Sequence, residues 1–213
     1  MTRLLDQISE TVQKGDQNHI KTLVLKALEE EQAPPETILN QGLIAGMDVV
    51  GAKFQSGEFF IPHMLIAARA MHAALDILKP RLVASGVKPV GKAVIGTVQN
   101  DHHDIGKNLV IIMLQGKGFE VVDLGIDVPA EKVVAAVGPD IALVCLSALL
   151  STTLPFMADT VTALRAAGLA EKIKVMVGGG PVTQAFADQV GADGYAPDAA
   201  GAADLALRLV KAE

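Results

Sequence analysis

Asp101-His102-His103-Asp104-Ile105-Gly106-Lys107-Asn108 lies between an apolar, β-favouring run, Lys92 to Thr97, and an apolar helical pattern, Asn108 to Leu114. A strand that hands over to a helix through a short polar loop is the building unit of an open parallel sheet. In such sheets ligands bind beyond the carboxyl ends of the strands. The loop sets a carboxylate, Asp101, two residues before an imidazole, His103, with Gly106 three residues further on. An imidazole held by a carboxylate is a prepared metal ligand, and a glycine lets a bulky ligand approach the backbone. Taken alone, the loop also fits an Asp helix cap, a surface histidine and a glycine turn. Neighbouring side chains diverge, so one of His102 and His103, not both, is the expected ligand.

Downstream, strands and helices alternate. Ala93–Thr97, Glu120–Asp123, Ile141–Leu146, Ile173–Val177 and a short Gly194–Ala196 read as strands, with helices starting near Gly106, Pro129, Leu154, Thr183 and Ala199. The runs at 141–146 and 173–177 are apolar throughout, as parallel strands buried on both faces require. The expected fold here is a doubly wound, flavodoxin-like or Rossmann-like, five-stranded parallel sheet. Upstream, only helical periodicity is found. Leu4, Leu5, Ile8 and Val12 share one face. Asp16 is placed to cap a second helix bearing Ile20, Leu23, Val24, Ala27 and Leu28. Pro34-Pro35 open a third, ended by Gly57, and Pro62 opens a fourth. Together they make a four-helix bundle. Lys79-Pro80-Arg81 through Gly91, rich in proline and basic residues, reads as a linker, which puts the domains at 1–88 and 89–213.

Composition narrows the function. The net charge is −6 with no basic stripe, which argues against nucleic acid. No unbroken apolar run approaches the roughly 18 residues of a membrane span, and the first residues lack the apolar core of a signal peptide. The single cysteine, Cys145, excludes an internal disulfide and an all-cysteine metal cluster. A cytoplasmic protein without membrane or nucleic-acid partners is the expectation.

Two further strand-end loops stand out. Ser147-Ala148-Leu149-Leu150-Ser151-Thr152-Thr153 follows the most apolar strand. A helix N-cap accounts for Thr152 or Thr153 but not for Ser147, which comes too early. Gly178-Gly179-Gly180-Pro181 follows the next strand and means either a tight turn or a backbone pressed against a ligand. Its spacing is neither the dinucleotide fingerprint nor the phosphate loop, so NAD and ATP are set aside. In the helical half, Met47, Phe54, Phe59, Phe60, Ile61, Met64 and Met71 cluster about one helix–helix connection, a composition that also suits an ordinary core.

Taken together, these motifs resemble the cobalamin-binding module of corrinoid proteins, whose signature is Asp-x-His-x-x-Gly, Ser-x-Leu and Gly-Gly. Here it reads Asp101-x-His103-x-x-Gly106, Ser147-x-Leu149 and Gly178-Gly179. Gly46 to Phe54 and Gly57 to Pro62 resemble the helical cap before the cofactor domain of cobalamin-dependent methionine synthase. The nearest likeness is to the small corrinoid proteins of methylamine, methanol and aryl-ether methyltransfer. Asn100 stands where the family usually has glycine, His102 where it has valine, and Ile61 where it has leucine.

The resemblance implies cobalamin in a methyl- or hydroxo- form, with its benzimidazole displaced and His103 on the cobalt. It implies that Asp101 orients the imidazole, that Ser147 hydrogen-bonds Asp101, and that protonation of the pair favours ligand release. It assigns the cofactor's seat to Asp101, His103, Asp104, Ile105, Gly106, Ser147, Leu149, Thr152 and Gly178–Gly180. Phe54, Ile61, Leu65 and Met47 are its cap contacts, and the 80–91 linker its hinge. The implied role is a methyl carrier, inert alone. Its implied partners are a substrate:corrinoid methyltransferase, an acceptor methyltransferase using tetrahydrofolate or coenzyme M, and a reductive activator. A cobalamin-dependent sensor and the small subunit of an adenosylcobalamin mutase are the alternatives.

Overall fold

The structure, a computed structural model, describes residues 2–86, 88–169 and 171–211. It separates into two compact units, Met1–Lys88 with Gly116–Gly118, and Pro89–Gln115 with Phe119–Glu213.

The first unit is helical. Helices α1 (Thr2–Lys14) and α2 (Gln17–Glu29) come first, and Asp16 Oδ1 caps α2 by accepting the Asn18 and His19 N–H groups at 3.1 and 2.9 Å. The third expected helix is one course in three pieces. These are α3 (Pro35–Thr37), a π-helical stretch at Ile38–Ile44, and α4 (Ala45–Gln55). It crosses α1 closely. A Cβ on Gly42 would come within 2.8 Å of Ile8, and one on Gly46 within 2.8 Å of Ser9 and Val12. Helix α5 (Ile61–Ala84) is long and apolar enough to cross a membrane by length and composition. Met64, Ala67, Ala70, Met71, Ala74 and Leu78 are nevertheless buried along it, as befits the core helix of a bundle. The helix also runs through Pro80, where the sequence suggested a linker. Pro80 is exposed while Leu78 and Leu82, four residues apart, are buried, so the apolar stripe carries the helix past the missing N–H. The connection to the next element therefore shrinks to residues 85–91, of which Val87 lies outside the described residues.

The second unit holds strands β1 (Lys92–Thr97), β2 (Glu120–Asp123), β3 (Leu143–Ser147), β4 (Lys174–Gly178) and β5 (Gly194–Tyr195). All pair in parallel, in the order β2-β1-β3-β4-β5. Between and after them run α6 (Ile105–Gly116), α7 (Ala130–Ala136), α8 (Leu154–Ala166), α9 (Gln184–Val190) and α10 (Ala199–Lys211). One sheet face, with Val94, Val144 and Val175, packs on Val133, Met157 and Val161 of α7 and α8. Alternation turns Ile95, Cys145 and Met176 to the other face. These three are register partners in one row across β1, β3 and β4. The chain leaves β1 toward β2 on one side and returns to β3 on the other. The loops after β1 and β3 therefore diverge and leave a crevice, the site where doubly wound sheets take ligands.

Candidate functional site

The crevice is built by the first of the three loops. Asn100, where the resemblance leads one to expect glycine, has φ 64°. Asparagine is among the few non-glycine residues at home in that left-handed region, so this departure keeps the turn intact. The turn is clamped from the β2–α7 connection: Asp127 Oδ1 accepts the Asn100 N–H at 2.7 Å, and the Asp127 N–H donates to the Asp101 carbonyl at 3.0 Å.

Asp101 follows, fully buried. Its Oδ1 accepts the His103 N–H at 3.1 Å and faces His103 Nδ1 at 2.8 Å. Its Oδ2 accepts the Leu149 N–H at 2.8 Å, the Leu150 N–H at 3.2 Å and the Thr153 hydroxyl at 2.8 Å. Burial pushes the carboxyl pKa upward. The His103 ring, the Leu149 and His103 N–H groups and the Thr153 hydroxyl, acting together, outweigh it and hold the pKa well below the usual carboxylate range. Asp101 is thus an anion without a proton to offer. His103 Nδ1 must be the donor, and Nε2 is left with its lone pair. The His103 side chain is half exposed, and its backbone carbonyl is fixed by the Thr97 hydroxyl at 2.9 Å.

Ser147 does not hydrogen-bond Asp101, in contrast to the reading from sequence. As the last residue of β3 it sits in register between Thr97 and Gly178 on the sheet face of Cys145, and Thr153 takes the expected place. The chain leaves β3, passes Leu149 and Leu150 over the carboxylate, and turns back through the 3-10 turn Ser151–Thr153, so that Thr153 is buried beneath it.

Beside His103 opens a cavity of about 450 Å³, within the usual range for small-molecule sites. His103, Asp104, Ile105 and Gly106 line it from the first loop, Ser147 and Leu149 from the second, and Gly178–Gly180 from the third. Three loops far apart in sequence thus meet at one opening. Thr152 lies exposed off this cavity. A Cβ on Gly106 would meet nothing within 4 Å, so its missing side chain is open space. Gly179 is glycine for another reason: φ is 126°, and a Cβ would land on the Ala148 carbonyl oxygen. The residues fit a corrinoid, with a preset imidazole on the lining of a largely apolar cavity. Among the described residues no cluster of His, Cys, Asp and Glu is arranged to hold a bare metal ion.

In the helical unit, Ile61 and Leu65 are exposed, Phe54 is half buried and Met47 is buried. The α4–α5 turn carries a stack that sequence reading passed over. His63 lies against Phe59 at 4.7 Å between ring centres, Lys53 sits over the same ring, and His63 Nδ1 accepts the Phe60 N–H at 3.1 Å.

Sequence reading also missed the far side of the cavity, where Tyr195, Asp198, Ala199 and Ala202 contribute from β5 and α10. The rule that strand ends line ligand sites pointed there. It missed Lys107 as well. This ammonium, with its side chain 2% exposed, binds both Asp123 oxygens at 2.7 Å and Asn108 Oδ1 at 2.8 Å, which ties α6 to the end of β2.

Two domain families described as B12 binding domains match this chain, one over residues 4–79 and one over 91–204. It is 45% identical over 193 residues to a dimethylamine corrinoid protein of Methanosarcina acetivorans, covering 89% of this chain and 91% of the relative. It is 39% identical to a corrinoid protein of Desulfitobacterium hafniense, covering 97% of each. Among solved structures, a cobalamin-binding protein from Desulfitobacterium hafniense superposes with a TM-score of 0.79 at 35% identity, covering 96% of this chain and 98% of that one. A chain of the methanol:cobalamin methyltransferase complex of Methanosarcina barkeri does so with 0.85 at 31% identity, covering 99% and 81%.

Proposed function

This chain belongs to the B12-binding corrinoid proteins, and from that premise we propose that it carries methyl groups between enzymes on a cobalamin whose cobalt is ligated by His103 in place of the cofactor's own base. The observation that carries this reading is the His103–Asp101 pair. An imidazole with its proton pinned at Nδ1 and a bare Nε2 stands on the lining of a cavity of about 450 Å³. The corrinoid, when bound, supplies a cobalt centre that accepts a methyl group and gives it up again. The protein's own contribution is positional and protonic. Asp101 fixes the plane and the tautomer of the ring. Two amides and Thr153 hold the Asp101 charge in place. With the ring proton held at Nδ1, Nε2 is the one ring atom left to bind a ligand or exchange a proton.

Gly106, Leu149 and the Gly178–Gly180 loop would receive the nucleotide tail, and Phe54, Ile61 and Leu65 of the 1–88 cap would supply apolar cover that keeps water from the cofactor. The partners are a methyltransferase that loads a methyl group from a methylated amine or methanol, a second that unloads it to tetrahydrofolate or coenzyme M, and a reductive activator. They work in the cytoplasm. The test is electron paramagnetic resonance of the reduced, cobalamin-loaded protein grown with ¹⁵N-histidine. The axial nitrogen splitting should change from the ¹⁴N to the ¹⁵N pattern and vanish in His103→Ala. An unchanged ¹⁴N pattern would mean that the tail base remains on cobalt.

A further inference from the structure

Along the strands, the floor of the cavity differs in chemistry from its rim. Ser147 and Gly178 flank the opening, and two residues back along the same strands lie Cys145 and Met176, with Ile95 completing the row. All three are nearly inaccessible: Ile95 is 2%, Cys145 5% and Met176 4% exposed. The walls are Val110 from α6 and Ala199 and Ala202 from α10. The row presents two hydrocarbon chains and a thiol to whatever reaches it. Burial holds that thiol neutral, its pKa pushed up to about 12. The one strong cation on the lining, Lys107, has all three N–H donors committed to Asp123 and Asn108. Asp198 is likewise engaged, its Oδ1 accepting the Gly201 N–H at 2.8 Å. The Ser147 and Tyr195 hydroxyls of the lining lie on other register rows, so this row offers hydrophobic contact and almost no hydrogen bonding.

We propose that this floor selects the cofactor by its lower base, taking corrinoids with a benzimidazole-type base and discriminating against those with adenine. This rests on the corrinoid reading above and names the class of cofactor that the same site prefers. A benzimidazole brings a flat, methylated hydrocarbon face that Ile95, Met176 and the two alanines cover. Adenine brings an exocyclic amine and extra ring nitrogens that must shed water and find no partner at the row. A buried polar group left unpaired weakens binding by roughly tenfold to a hundredfold.

The experiment is a spectrophotometric titration of the full-length apo-protein with three probes: cobalamin, its adenine-based analogue, and cobinamide, which lacks the nucleotide tail. Cobalamin should bind at least about tenfold more tightly than the adenine form. Met176→Gln, which gives the floor a donor and an acceptor, should narrow that ratio by several fold, and circular dichroism verifies that the variant is folded. Equal affinity for the two base forms overturns the proposal, and so does a Met176→Gln ratio equal to that of the parent. Cobinamide binding as tightly as cobalamin overturns it too, since the tail would then contribute nothing. None of these outcomes touches ligation by His103, which the ¹⁵N-histidine splitting reads independently.

Discussion

Replacing Asp101 by asparagine should switch the tautomer of His103, and the hydrogen bonds dictate the direction. Against the single His103 N–H contact on Oδ1, three donors, the Leu149 and Leu150 N–H groups and the Thr153 hydroxyl, converge on Oδ2. An NH₂ group there would set donors against donors, so the new amide must keep its oxygen at that position and turn its NH₂ toward His103. Nδ1, 2.8 Å away, then becomes an acceptor, and the ring's single proton moves to Nε2. The atom offered to a metal loses its lone pair. Hydrogen bonds to charged groups contribute about 1.5–3 kcal/mol, and about 1.4 kcal/mol corresponds to a factor of ten. Ligand affinity should therefore fall about ten- to a hundredfold, the range typical for partners that orient metal-bound histidines. Long-range ¹H–¹⁵N correlation on ¹⁵N-histidine apo-protein reads the tautomer without any cofactor, and His103→Ala assigns the resonance among five histidines. An Nδ1–H pattern in both parent and variant would refute the reasoning.

Acid should expose the same carboxylate. Its native pKa lies below the ordinary 3.8, so its stabilisation is complete above about pH 4 and drains away as the pH falls toward the native value. The gap in urea midpoint between parent and Asp101→Asn should shrink from pH 5 to pH 3. Gly106→Val should leave the urea midpoint nearly unchanged and abolish cobalamin uptake, because the new side chain meets only the cavity. Gly179→Ala should instead cost about 2 kcal/mol or more in stability, since it strains φ and collides with the Ala148 carbonyl. Lys107→Met should destabilise by about 2 kcal/mol in urea unfolding. The loss stays below that of a fully buried pair because Asp123, with its side chain 41% exposed, regains water.

The sheet was readable because its strands are short apolar runs punctuated by glycine, proline and polar loops, and each observed strand falls within two residues of the run that announced it. The three motif loops were readable because strand ends of a doubly wound sheet converge whatever the sequence between them. Contacts that depend on the path of a loop were not. Ser147 and Thr153 are both hydroxyl residues after the same strand, and only the 3-10 turn decides which one reaches Asp101. Pro80 misled because proline is judged locally, whereas Leu78 and Leu82 hold that turn through packing. The small residues of α10 looked like mere helix formers, since nothing in a run of alanines says that it faces a cavity.

The π-helical stretch Ile38–Ile44 has a consequence for how the helical unit tolerates change. Its bonds span five residues instead of four, so it stores one extra residue without breaking the rod. Excising that residue, for instance the exposed Gln41, would let the stretch relax to ordinary pitch. Because the wider turn had already absorbed that residue, everything beyond it would keep its facing, Gly46 against α1 and Phe54 on the same side of the rod. A single-codon deletion here should thus be absorbed, whereas the same deletion inside the regular turns of α4 would rotate everything beyond it by about 100°.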